Sequence, residues 1–207
     1  MRILLIGATG MIGRRVADEA RRRGHEVTGV TRSGNEGTAK AEAADAAAIA
    51  GLAKGHDAAV LAIAPPRDGS EPTGPLLAGG RGALDGLRQA GVRRVVVVGG
   101  AGSLLVGPGA RLVDTPEFPD LYKGEALAQG ELLDVVRAEA GDLDWTYISP
   151  AAGIEPGERT GTFRLGGDEL LTDADGKSFI SAEDYAVALV DELEKSQAVG
   201  RRITVAY

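Results

Sequence analysis

The chain contains no cysteine and two histidines, His25 and His56. The first absence removes disulfides, thiolate nucleophiles, iron–sulfur clusters and cysteine zinc sites together, and the second leaves no histidine-rich metal site. A metal mechanism is not expected. Aromatic residues make up 4% of the chain, with Trp145 the one tryptophan, so few rings are at hand to sandwich a planar ligand, and a tryptophan on a strand reads first as core. There is no run of 18 apolar residues to span a bilayer. The first strand begins at Arg2-Ile3 and its glycine turn at residue 7, which is expected to leave no room for a charged n-region, an apolar h-region and a cleavage site. The expectation is a cytoplasmic protein without a membrane partner. A surplus of positive charge is lacking as well: the net charge of −7 repels polyphosphate on average, so nucleic acid is not an expected partner. Arg14, Arg15, Arg21, Arg22 and Arg23 form a local basic cluster, for which a solvated face of the first helix is a sufficient explanation.

What remains is an ordinary globular composition, 43% hydrophobic and 26% charged over 207 residues, enough for one substantial core and one domain. Continuous apolar runs rich in β-branched residues alternate with amphipathic segments, the pattern of parallel strands covered by helices on both faces. The fold class is therefore α/β, a doubly wound parallel sheet. Strands are expected at 2–6, 26–31, 39–43, 58–64, 93–98, 145–149 and 203–206. Helices are expected at 14–23, 46–54 behind an Asp45 cap, 75–90, 121–140, and from Ser181 through Glu194. Pro65 and Pro66 stop the fourth strand and Pro150 the sixth. Residues 101–120 hold glycines and prolines outside any period, and the expectation there is a flap. Residues 151–180 turn to glycine, charge and short β-like pieces; they form either a small lobe over a substrate or a hairpin that extends the sheet or supports an oligomer contact.

The sharpest local feature is Gly7-Ala8-Thr9-Gly10-Met11-Ile12-Gly13, which follows the apolar run Ile3-Leu4-Leu5-Ile6 and leads into a helical stretch. Glycines at this spacing allow a sharp turn, close approach of backbone N–H groups to a pyrophosphate, and tight packing of helix on strand. The helix N-terminus then faces the phosphates. The competing explanation is a glycine-rich tight turn alone. At the end of the second strand, where an acid would accept from the adenosine ribose, stand Arg32 and Ser33. A guanidinium there offers forked donors to a 2′-phosphate, and Arg14 could close on it from the helix, which favours NADP(H) while leaving NAD(H) possible. Alternatively Arg32 is a solvated strand-end arginine and Arg14 pairs with Asp18 at i,i+4. Ala62, Ile63 and Ala64, at the end of the fourth strand, and Pro150 complete the expected cofactor-binding set with Gly7, Thr9, Gly10, Met11, Ile12, Gly13, Arg14, Arg32, Ser33 and Lys123.

Reductases of this architecture commonly place a Tyr and a Lys four residues apart on one helix face. This chain has no such pair: the residues four beyond Tyr122, Tyr147 and Tyr185 are Ala126, Ala151 and Leu189. Lys123, opening the helix after the flap, could hold the nicotinamide ribose or donate to a substrate, or simply be solvated. Ser103, just past the fifth strand, could orient a carbonyl, or serve as a turn residue. These two are the candidate catalytic residues.

Several further stretches carry a resemblance: Gly55-His56-Asp57-Ala58, Val98-Gly99-Gly100-Ala101-Gly102-Ser103-Leu104, Val113-Asp114-Thr115-Pro116-Glu117-Phe118-Pro119, Tyr122-Lys123 and Leu143-Asp144-Trp145-Thr146. Ser149-Pro150-Ala151, Pro156-Gly157-Glu158-Arg159-Thr160-Gly161, Leu165-Gly166-Gly167-Asp168 and Glu183-Asp184-Tyr185-Ala186 extend it almost to the C-terminus. With the glycine turn, they resemble atypical short-chain dehydrogenase/reductases, above all the NADH-flavin reductase group, whose wider relatives include biliverdin reductase B and the NmrA-like redox sensors. The resemblance implies an NAD(P)-binding Rossmann fold that reduces a flavin or quinone, the flavin being substrate rather than prosthetic group. A flavin accepts hydride while stacked on nicotinamide, so no strong general acid is needed. Catalysis is then mostly positioning at a near-attack separation of roughly 3–3.5 Å. A non-catalytic NADP(H) sensor is the alternative, and nucleotide-sugar epimerisation, which needs the absent tyrosine, is a third. The expected partner is a small-molecule substrate, the protein being a monomer or homodimer.

Overall fold

Strand β1 (Arg2–Ile6) is apolar on both faces because it lies at the centre of a parallel sheet, and Ile3, Leu4 and Leu5 are wholly buried there. The computed structural model describes residues 1–35, 37–65 and 69–207. In chain order β1 is followed by α1 (Met11–Arg22), β2 (Glu26–Thr31), β3 (Ala39–Lys40), α2 (Ala46–Ala53), β4 (Ala58–Leu61), α3 (Thr73–Ala90) and β5 (Arg94–Val98). Then come β6 (Leu105–Gly107), β7 (Ala110–Arg111), a 3-10 turn (Leu112–Asp114), α4 (Asp120–Glu139), β8 (Asp144–Pro150) and β9 (Gly153–Glu155). The chain closes with β10 (Arg164–Gly166), β11 (Phe179–Ser181), α5 (Ala182–Lys195) and β12 (Arg201–Ala206).

The main sheet has eight strands in the order β10-β12-β8-β5-β4-β1-β2-β3. All neighbours run parallel except β10, which pairs antiparallel with β12. From β1 the chain winds outward to β3, then returns to β4 on the other side of β1. This reversal creates a crevice at the carboxyl ends of β1 and β4, where ligands of doubly wound sheets bind. The fold is Rossmann-like, as the alternating pattern predicts. Helices α1 and α5 cover one face, over Ile3, Leu5, Val60, Val96 and Ile148. Helices α2, α3 and α4 cover the other, over Leu4, Leu61, Val95, Val97 and Tyr147.

Local chemistry sets the element ends. Asp45 caps α2 by accepting from Ala48 N at 3.0 Å, and Ser181 caps α5 by accepting from Asp184 N at 3.0 Å. Helix α3 owes its glycines to packing: a methyl at Gly82 would lie 2.5 Å from the Ala44 backbone, and one at Gly86 would lie 2.7 Å from the Ala46 carbonyl oxygen.

Several boundaries differ from the sequence expectation. Helix α1 begins at Met11 rather than residue 14, so the third glycine lies inside its first turn. Strand β4 ends at Leu61, not 64: Ala62 N still reaches Ile6 O at 2.8 Å, after which the chain leaves the sheet. Strand β3 is two residues long, not five. Pro66, Arg67 and Asp68 of the loop after β4 lie outside the described residues. The expected flap, 101–120, is a packed arm: β6 and β7 form a hairpin, Leu104 and Val113 are buried, and α4 already begins at Asp120. Residues 151–180 split between the two alternatives. Strand β10 extends the main sheet, while β9 and β11 make a separate parallel pair.

Candidate functional site

The site is built on the turn between β1 and α1. Gly7 has φ of +90°, a left-handed conformation that side chains resist, and a Cβ there would overlap the Ala62 carbonyl. A Cβ on Gly13 would overlap the Gly7 carbonyl, so the helix sits directly on the turn. Gly7 N and Ala8 N both donate to Val30 O, at 2.9 and 3.3 Å, and Gly10 N donates to Gly7 O at 3.3 Å, which ties the turn to β2. Gly10 then enters α1 in an extended conformation, with no side chain capping the helix and no acid in its first turn. The opening amides of a helix have no partner within it. Thr9 and Ile12 are half-buried at this point and Met11 is exposed. A turn in which neither Gly7 nor Gly13 admits a side chain, with the opening amides of α1 at a positive helix end, fits a pyrophosphate.

Beside the turn runs a cleft of about 590 Å³ between α1 and β2, with Thr9, Arg14, Asp18, Arg21, Gly29 and Thr38 in its wall. Arg14 is thus brought to the turn. Arg32 and Ser33 stand beyond the end of β2, exposed and outside that wall. Among the described residues Arg32 has no hydrogen bond or ion pair, while Ser33 Oγ accepts a long bond of 3.4 Å from Asn35 N.

The other half of the crevice lies over β4, β5 and β8. Ala62 and Ile63 are half-buried, Ala64 is exposed, and Pro150 is buried at the end of β8. Gly99 N donates to Ile148 O at 2.8 Å, holding the loop after β5 against β8. Lys123 is exposed in the first turn of α4, beside Tyr122 and the 84%-exposed Leu121. Arg111 donates to Asp114 at 2.7 and 3.0 Å and holds that carboxyl below the usual range, with Lys123 adding to the effect.

Ser103 has a different neighbourhood from the one its sequence position suggests. Arg202, buried on β12, donates to Ser103 Oγ at 2.9 Å and to Asp168 at 2.7 Å, and Arg137 of α4 donates to Asp168 at 2.9 Å. The serine is an anchor point that joins the 101–120 arm to the 151–180 segment. Sequence reasoning missed Arg202, as it missed Tyr147 and Gln129, which bond each other beneath the crevice. For Tyr147 a signal existed: two residues after Trp145 on one strand, it shares that core face, and a buried phenol needs a partner.

The sequence matches the model of the NAD(P)H-binding family over residues 7–196. This chain belongs to the NAD(P)H-binding family. It is 39% identical to the uncharacterized protein YwnB of Bacillus subtilis, with 99% of this chain and 98% of the relative covered. Among solved structures it resembles a Burkholderia pseudomallei protein described as a candidate exported protein, at 49% identity, TM-score 0.90 and full coverage of both chains. A candidate NADH-flavin reductase from Streptococcus pneumoniae matches at 36% identity and TM-score 0.83, covering 100% of this chain and 99% of the other. The resemblance to the NADH-flavin reductase group therefore holds across the chain. This NAD(P)H-binding protein is oxidoreductase-like, with a nicotinamide dinucleotide as its cofactor class. Among the described residues no helix is long and apolar enough to cross a membrane, and no group of histidine, aspartate or glutamate is placed to hold a metal.

Proposed function

We propose that the protein is an NADPH-preferring reductase that delivers hydride directly to a planar acceptor, a flavin or a quinone, with the flavin as a passing substrate. The observation that carries this reading is the pairing of the tight glycine cradle at α1 with a nicotinamide half in which, among the described residues, no buried phenol is free to act as a general acid. Tyr147 and Tyr185 are wholly buried, donating to the backbone oxygens of Gln129 and Ile148 at 2.8 and 2.6 Å. Tyr207 donates to Asp184 at 2.8 Å. Burial pushes the phenols of Tyr147 and Tyr185 well above their ordinary range, so they stay protonated and engaged. When bound, the nicotinamide supplies the hydride. An acceptor such as an isoalloxazine then takes its proton from solvent.

The chain's own contribution is binding and orientation. The amides around Gly10, Met11, Ile12 and Gly13, with Thr9, hold the pyrophosphate, and Arg14 and Arg32 hold the 2′-phosphate of the adenosine end. Ala62, Ile63, Ala64 and Pro150 border the ring, and Lys123 takes the nicotinamide ribose or the acceptor. Ser103 contributes through its tether to Arg202. The deciding experiment is steady-state NADPH oxidation with added FMN, FAD and quinones. Turnover with at least one of them is expected. Tight NADPH binding with no turnover on any acceptor would replace the reductase with a redox sensor.

A further inference from the structure

One group of buried polar residues lies directly under the nicotinamide half of the crevice, and the proposed hydride transfer makes no direct use of it. Helix α4 presents Gln129, 6% exposed, to the middle of β8 and to the chain leaving β4. Its Nε2 donates to Ile63 O, in the chain leaving β4, at 3.3 Å. Its backbone oxygen accepts from Tyr147 Oη of β8 at 2.8 Å, and its Oε1 lies 3.3 Å from the same hydroxyl. That hydroxyl in turn accepts from Gly100 N, just past β5, at 3.3 Å. Gln129 and the Tyr147 hydroxyl together thereby tie the chain leaving β4 and the chain leaving β5 to β8 at a set spacing.

The neighbouring backbone is shaped to this pair. A Cβ on Gly99 would overlap the Tyr147 ring, and one on Gly100 would lie 2.9 Å from Gln129 Cβ. Both glycines of the Gly99-Gly100 step are needed for the chain to lie flat on the two side chains. Such a floor has a use beyond stability, because a planar ring is held well only where the backbone beneath it is immobile.

We infer that Tyr147 and Gln129 are positioning residues for the nicotinamide ring, setting the separation of the Ile63 and Gly100 backbones on which the ring rests. The inference builds on the proposed dinucleotide orientation, with the adenosine end over β2 and the ring over β4, β5 and β8. They touch no reacting atom.

The test compares two ligands by calorimetry on the full chain: NADPH, and 2′-phospho-ADP-ribose, which is the same molecule without its nicotinamide ring. Tyr147→Phe keeps the buried ring and deletes the hydroxyl that links Gly100 to Gln129. It is expected to raise the Kd for NADPH about tenfold, the equivalent of one hydrogen bond, with the Kd for 2′-phospho-ADP-ribose unchanged within about twofold. Gln129→Met leaves its backbone carbonyl in place for Tyr147 and cuts the link to Ile63; it is expected to give the same split at about threefold. That second variant decides the matter alone if Tyr147→Phe does not fold. Equal weakening of both ligands, or no change in either, would mean that the pair is merely structural and overturn the inference. Because binding is measured without an acceptor, failure of reductase turnover would overturn the reductase reading and leave this result independent.

Discussion

Glu19 shows how far a single carboxylate can be shifted in this fold. It sits on α1 with its side chain 3% exposed, accepting from Arg159 at 2.7 and 2.8 Å, from Arg23 at 2.8 Å and from Arg22 at 3.0 Å. The Arg159 bonds pull its pKa down most; burial opposes them, Arg23 adds to them, and the result is about 2 against an ordinary 4.5. A carboxyl depressed in the folded state stabilises the protein above its unfolded pKa and loses that contribution as pH falls through the folded one. Urea unfolding should therefore show Glu19→Gln less stable than the parent by up to about 3 kcal/mol near neutral pH. The gap should close between pH 4.5 and 2. A gap independent of pH would mean that packing, not charge, accounts for it. Arg32 supplies the second prediction at this scale. Arg32→Asp should weaken NADPH by ten- to a hundredfold, corresponding to one charged hydrogen bond of about 1.5–3 kcal/mol, while sparing or improving NADH. Equal loss for both coenzymes would detach Arg32 from the 2′-phosphate. The glycine turn and Arg14 were legible in the sequence because their chemistry is local. The Arg159 partner of Glu19 was not, since it is 140 residues away and nothing in either neighbourhood names the other.

At the scale of elements, legibility followed branched and aromatic side chains more than the length of the apolar run, since the alanine-rich stretch 58–64 yields a strand of 4 residues. β1, β2, β5 and β8 carry β-branched or aromatic residues, and they lie within a residue of the expected positions. The caps Asp45 and Ser181 stand where expected because capping is read from adjacent residues. The 151–180 segment could not be resolved beforehand. β9, β10 and β11 are three residues each, and each is a strand only because a partner offers a ladder. The glycine-rich α3 is the opposite case, in which a composition unfavourable to helices is tolerated for close approach. Gly86→Val should illustrate this: an exposed helix would gain little or nothing from the change. Here the added atoms would meet Ile49 and the Ala46 carbonyl within 2.9 Å. A loss of about 1–3 kcal/mol is expected from overpacking, with a lower midpoint in denaturant titration. An unchanged midpoint would show that α2 and α3 can part at little cost.

Across the whole molecule, the dinucleotide should act as a stabiliser. A ligand that binds only the folded state at a hundred times its Kd adds about 2.7 kcal/mol. For a chain of this size that corresponds to a rise in Tm of roughly 5–10 °C. Scanning calorimetry with and without NADPH checks this, and no shift at saturating coenzyme would contradict the cradle at α1. The 151–180 segment is itself fastened across the molecule. Burial pushes the Asp184 carboxyl up, but bonds from Thr160 at 2.5 Å, Gly161 N at 2.7 Å and Tyr207 at 2.8 Å outweigh it and keep the group below its ordinary range. Arg15 and Gly157 N both donate to Glu183, at 2.6 and 2.7 Å.

The clasp between Glu19 and Arg159 reaches beyond stability. Glu19 lies about two turns along the same rod whose first turn forms the phosphate cradle. Arg159 lies between Pro156 and Gly161, so the clasp pins that stretch to the very rod that carries the cradle. Cutting that clasp would undo one tie between the stretch and the cradle's rod without altering any group assigned to meet the coenzyme.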